Sequence, residues 1–119
     1  MAGGLADDPP GSAMFKHDPE LHFNNLSPAE AERLALLLEE LGEVQQIIGK
    51  ILRHGYESTH PKGGMTNREK LEKELGDVHA RIRLMWNAGD VHQVTILEYS
   101  DEKYERRAYL HHQPPEQPK

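Results

Sequence analysis

Between positions 34 and 51 the chain sets Leu34, Leu37, Leu38, Leu41, Val44, Ile48 and Ile51 at intervals of three and four residues. This is the repeat of one face of an α-helix and does not fit the two-residue alternation of a strand. The segment also has a defined start. Ser27 is a good N-cap, Pro28 suits the first helical position, and Glu30 completes a capping box. Gly55 is placed to end the helix. Gly42 and Gly49 weaken the interior by about 1 kcal/mol each, against a stripe of seven apolar residues.

A stretch over 54–65, punctuated by Pro61, Gly63 and Gly64, reads as a loop. A second capping box, Thr66 with Glu69, then opens a second helix with the stripe Leu71, Leu75, Val78, Ile82 and Met85, ended by Gly89. Asp90 with Gln93 has the form of a third box, and a third helix is expected from there to about Ala108. Its Val94, Thr95 and Ile96 are β-branched and would tolerate a strand. Three helices with short loops imply an all-α helical bundle. Residues 1–26, with glycines and prolines and no periodicity, are expected to be a flexible arm, and 111–119 a loose tail.

A chain of 119 residues with 36% apolar and 29% charged side chains can bury only a thin core, and small domains of this kind gain stability by association. A homo-oligomer, dimer or tetramer, is therefore expected. The chain has no cysteine, which excludes disulfide stapling. No apolar run approaches the roughly 18 residues of a membrane span, and Met1 to Gly4, without a basic flank and a following apolar region, do not read as the start of a signal peptide. A cytoplasmic protein is expected. The formal charge of -6, with 20 acidic against 14 basic residues, argues against a nucleic-acid duplex as partner, because phosphate contacts need a basic face.

Acidic residues cluster twice, as Glu39, Glu40 and Glu43 on the first helix and as Glu74 and Asp77 on the second. Acids three residues apart share a helical face. At about 100° per residue, Glu40 and Glu43 fall beside Leu36 and Ile47, away from the stripe of Leu34, Leu38, Leu41 and Ile48. A helix apolar on two sides is buried on both, and carboxylates in such a setting repel one another and lose hydration unless a cation compensates. Hard oxygen donors without cysteine or histidine favour Mg²⁺, with Mn²⁺ as a substitute. The alternative is a solvated acidic face, in which Lys70, Glu74, Asp77 and Arg81 are ordinary surface pairs.

The run Glu39-Glu40-Leu41-Gly42-Glu43, followed by Glu74-Leu75-Gly76-Asp77, resembles the paired signature of the MazG-like, all-α nucleoside triphosphate pyrophosphohydrolases. The resemblance covers about residues 28–108. It implies a MazG-like helical domain over 27–110 with a four-helix core completed by a second subunit. It implies Mg²⁺-dependent hydrolysis of a nucleoside triphosphate, often a deoxynucleotide, to monophosphate and pyrophosphate, in nucleotide-pool cleansing. By position, Glu40, Glu43, Glu74 and Asp77 become metal ligands, and Glu39 serves a second ion or the attacking water. Phosphoribosyl-ATP pyrophosphohydrolases share that fold and chemistry. In the third helical region the resemblance makes Lys103 a substrate contact; the chain departs from the family in the long separation of the two halves and in having Arg106 and Arg107, and no asparagine, after Lys103. A non-catalytic helical module, sensing nucleotides or binding a partner, is the competing class.

Lys50 and Arg53 follow the first cluster and can reach phosphates, or can simply complement the helix C-terminus. Arg81, one turn after Asp77, is either a substrate contact or the partner of Asp77. The eight histidines are scattered and suggest no zinc site. Phe15, His22 and Phe23 could fold over a base, although Phe23 more simply packs before the first helix as a hydrophobic staple. Trp86 reads as core or interface.

Overall fold

The computed structural model describes Pro19, Leu21 and residues 23–113. Phe15, His22, most of the expected arm and the last six residues of the expected tail lie outside the described residues. The described chain is all-helical, with no strand: α1 spans Pro28–His54, α2 Asn67–Ala88 and α3 Gln93–Glu105, and a 3-10 turn covers Arg107–Tyr109. By contact the chain divides into two units, one ending at Leu84 and one beginning at Met85.

The first two of the three expected capping boxes form. Ser27 Oγ accepts from the Glu30 N–H at 3.1 Å, and Glu30 Oε1 accepts from the Ser27 N–H at 2.8 Å. Thr66 and Glu69 repeat the exchange at 3.1 and 2.9 Å. Each box satisfies two backbone groups that a helix start otherwise leaves without partners. The bonds Glu69 accepts from Thr66 also hold its carboxyl below the usual carboxylate range. At the far ends, Gly55 and Gly89 both take φ 87°, the left-handed region that side-chain-bearing residues avoid.

The third start differs from expectation. The N-cap of α3 is His92, with no side-chain hydrogen bond, so the Asp90–Gln93 box does not form. The Asp90 N–H instead donates to Met85 O at 2.9 Å, closing the end of α2. The β-branched run Val94–Ile96 is helical, and the helix ends at Glu105, short of Ala108.

The loop 55–66 is tied to the first turn of α2. The Asn67 and Arg68 N–H groups donate to Ser58 O and Tyr56 O at 2.9 and 2.8 Å. The buried Asn67 side chain donates to Gly55 O at 3.1 Å. Arg68 pairs with Glu57 at 2.7 Å and lies 4.4 Å from the Tyr56 ring centre. These bonds fold α1 and α2 into an antiparallel hairpin, so that residues from the middle of each helix come opposite one another.

The face that α1 turns toward α2 is not its leucine stripe. Glu40 and Ile47 are buried and Leu36, Leu37, Val44 and Ile51 half-buried, whereas Leu34, Leu38, Leu41, Ile48 and Leu52 are exposed, Leu38 by 72% and Leu52 by 82%. Among the described residues Ile47 and Met85 are the only buried apolar side chains. Phe23 is 77% exposed and does not act as a staple that buries its ring against α1. Trp86 is half-buried. No helix among the described residues is long and apolar enough to cross a membrane.

Candidate functional site

The buried side of α1 carries its acids at the level where α2 carries its own. Glu40, Glu43, Glu74 and Asp77 each offer a carboxylate oxygen, and these four atoms lie within 4.8 Å of one another. All four residues belong to the unit that ends at Leu84. Their convergence follows from two spacings. Each pair, three residues apart, occupies adjacent turns of its own helix, and the antiparallel hairpin sets the two pairs face to face.

Four carboxylates so close repel strongly. Unit charges 4 Å apart interact by about 4 kcal/mol at an effective dielectric constant of 20. Two cations answer them within the protein. Arg81 Nε donates to Glu40 Oε2 at 2.9 Å, reaching across from α2 to α1. Lys73 Nζ donates to Asp77 Oδ2 at 2.9 Å and lies 3.7 Å from Glu74 Oε1. Asp77 and Glu74 in turn raise the Lys73 pKa. When fully ionised, four carboxylates against two cations leave an excess of two, the charge of one divalent cation.

The excess is visible at Glu43. Hydrogen bonding with Glu74, then with Glu40, together with repulsion from both, raises its pKa to about 7. A carboxyl in that position holds a proton its neighbours share. Glu74 bears a second mark: its Oε2 is buried with no hydrogen-bond partner. A buried carboxylate oxygen without a donor is costly, and a bound cation removes the cost. The residues fit a hard divalent ion in number, donor type and charge. No histidine belongs to the cluster.

A small cleft adjoins this cluster, and a larger one adjoins the small one. One of about 250 Å³ is lined by Glu43, Ile47, Lys50, Lys70 and Glu74. The other, of about 370 Å³, lies between the end of α1, the 55–66 loop and the start of α2, and is lined by Lys50, Arg53, Ser58, Thr59, His60 and Lys70, among others. Lys50 and Lys70 border both.

Of the residues singled out in the sequence, Glu40, Glu43, Glu74 and Asp77 are brought together. Glu39 is exposed and outside the group of four, one residue from Glu40. Lys50 and Arg53 line the larger cleft. Arg81 is the partner of Glu40 and not of Asp77, whose i,i+4 partner is Lys73. Helical spacing points Arg81 toward Asp77 on its own helix, but the length of the arginine side chain lets it bridge to the buried acid opposite. Lys103 is exposed on α3. Lys70 and Lys73 were missed as site residues. Their place one turn before Glu74 and Asp77 was the available signal. Compared with family models, curated proteins and solved structures, the chain shows no match.

Proposed function

We propose that this protein is a divalent-cation-dependent hydrolase that splits nucleoside triphosphates into monophosphate and pyrophosphate, acting on the nucleotide pool. The observation that carries the reading is the four-carboxylate cluster, over-charged by two and including one buried oxygen without a donor. Glu40, Glu43, Glu74 and Asp77 would hold the cation, for which Mg²⁺ is the first choice and Mn²⁺ a substitute. Bound there, such an ion neutralises phosphate charge and makes a coordinated water more acidic.

The remaining chemistry falls to the chain. Arg81 pairs with Glu40 and fixes the aim of its carboxylate, and Lys73 does the same for Asp77. A water oxygen adds to the α-phosphorus, the bridging oxygen leaves on pyrophosphate with its electron pair, and Glu39 orients the water and accepts its proton. Lys50 and Arg53 lie where phosphate oxygens can be met.

The exposed leucine stripe supports the second part of the proposal, a homo-oligomer. An aliphatic side chain left in water forgoes about 1.5–3 kcal/mol relative to burial, and α1 leaves five along one face. Pairing two hairpins through these stripes completes a four-helix core, with each acidic cluster on the inner side of its own hairpin. A cytoplasmic location fits such an enzyme.

The test is pyrophosphate release from the eight common nucleoside triphosphates, oxidised variants and phosphoribosyl-ATP, each with Mg²⁺ and with Mn²⁺. Release from at least one substrate, lost in Glu43→Gln and in Asp77→Asn, is expected. No release from any member with either ion would end the enzymatic reading in favour of a binding module.

A further inference from the structure

The larger cleft has a property the acidic cluster does not explain. Lys50, Arg53 and Lys70 converge on it, and no carboxylate is among its lining residues. Elsewhere in the hairpin Arg68, Lys73 and Arg81 each hold a carboxylate within 4 Å. Among the described residues, Lys50, Arg53 and Lys70 hold none; Lys62 and Arg83 hold none either, but they line neither cleft. The Ser58 and Thr59 hydroxyls on the same wall likewise make no hydrogen bond among the described residues.

Helix dipoles account for only part of this. Lys50 and Arg53 sit in the last turns of α1, where cations are favoured. Lys70 sits in the opening turns of α2, where the dipole disfavours a cation, and it still borders the cleft. On one side it meets the smaller cleft with Glu43 and Glu74; on the other it faces the larger cleft, whose lining holds no carboxylate. The wall also offers hydroxyl and imidazole groups at Ser58, Thr59 and His60, which can donate hydrogen bonds to phosphate oxygens. Because Lys50 and Lys70 also border the smaller cleft with Glu43 and Glu74, the two neighbouring clefts share these side chains and make a trough with carboxylates at one end and cations at the other.

We infer that this cleft is a diphosphate subsite, which seats the β- and γ-phosphates and then the departing pyrophosphate. Its direction rests on the hydrolase reading of the carboxylate cluster, while the anion itself rests on the cleft's own residues. The nucleoside is left at the other side of the acidic cluster, away from the cationic end. Phosphate number, more than the base, then decides what binds: triphosphates fill the trough, and monophosphates leave the cationic end empty.

The test is titration of the full-length protein with inorganic tripolyphosphate, pyrophosphate and orthophosphate, by calorimetry, in EDTA and again with Mg²⁺. Tripolyphosphate and pyrophosphate are expected to bind in both conditions, more tightly than orthophosphate, and to weaken steeply with salt. Arg53→Gln and Lys70→Gln, both exchanges of side chains without an ion pair, are expected to keep the helical circular dichroism signal and to lose at least tenfold in affinity. Glu43→Gln should bind as well as the parent or better in EDTA. Absence of binding in both conditions, or equal affinity in Arg53→Gln and Lys70→Gln, overturns the inference. The two readings fail separately. Arg53-dependent tripolyphosphate binding without turnover of any nucleotide keeps the subsite and ends the hydrolase. Turnover with kcat/KM unchanged in both cleft variants keeps the hydrolase and ends the subsite.

Discussion

Replacing Arg81 tests the electrostatic structure of the hairpin most directly. Its partner Glu40 has a side chain only 8% exposed, while Arg81 is 32% exposed. Removing one member of a buried ion pair costs about 3–5 kcal/mol, because the other charge is left uncompensated. Water reaches the guanidinium side and screens the pair, so Arg81→Met should cost about 2 kcal/mol. For a domain of this size that is a fall in Tm of roughly 8–15 °C. Glu40→Gln in the same background should recover part of the loss, since the charge that lost its partner is then gone, giving a coupling of about 1 kcal/mol or more. The cluster's excess charge rises from two to three in Arg81→Met, so Mg²⁺ should raise the Tm of that variant by more than it raises the parent's. Thermal unfolding by circular dichroism, in EDTA and at millimolar Mg²⁺, measures each quantity. An Arg81→Met protein melting within about 3 °C of the parent, the range of a neutral surface change, would show that the Arg81–Glu40 bond carries no such weight.

Glu43 sets a pH dependence. Its carboxyl is raised to about 7, so the stability it contributes is fully present below the unfolded value near 4.5 and is lost as pH rises through 7. The metal-free protein should therefore lose Tm between about pH 5 and pH 8, and Glu43→Gln should flatten that slope. Mg²⁺ should reverse it, stabilising most above pH 7, where the cluster is fully ionised. Leu38→Glu, on the exposed stripe of α1, should shift the protein to the monomer in light scattering with its helix content kept; an unchanged mass would place the subunit contact elsewhere. Gly76→Ala meets nothing within 4 Å and should stabilise α2 by about 1 kcal/mol, read as a higher midpoint in urea; a loss would reveal another chain packed against that position.

The helices were legible because their signals are local. Ser27 with Glu30 and Thr66 with Glu69 form boxes from residues three apart, and Gly55 and Gly89 end helices by their own conformation. Asp90 with Gln93 has the same pattern and fails, because the Asp90 N–H is taken by the end of α2. The acidic cluster was legible as two pairs, since spacing along one helix fixes each pair; the return of the second helix along the first is set by the loop's bonds to the start of α2. Which face of α1 meets α2 was less so. Periodicity marks the leucines as the stronger stripe, yet it cannot tell whether a face is buried by its own chain or left open, and the half-polar face of Glu40 and Ile47 lies inward. Contacts between helices were beyond reach: Arg81 bonds 41 residues away, and Lys70 joins Lys50 only once the hairpin closes.

The hairpin also separates where the chain's length is constrained from where it is free. Glu43 and Lys50 ride on one rod, opposite Glu74 and Lys70 on another, so inserting or deleting a single residue between them would swing one end of the trough about 100° from the other. The bend beyond Pro61 carries no such gearing. Gly63 and Gly64 stand exposed with open space around them, and added residues there leave the bonds from Asn67 and Arg68 to the loop's first half in place. A peptide tag or a fluorophore belongs at that tip, where it can report on the neighbouring cleft without turning either helix.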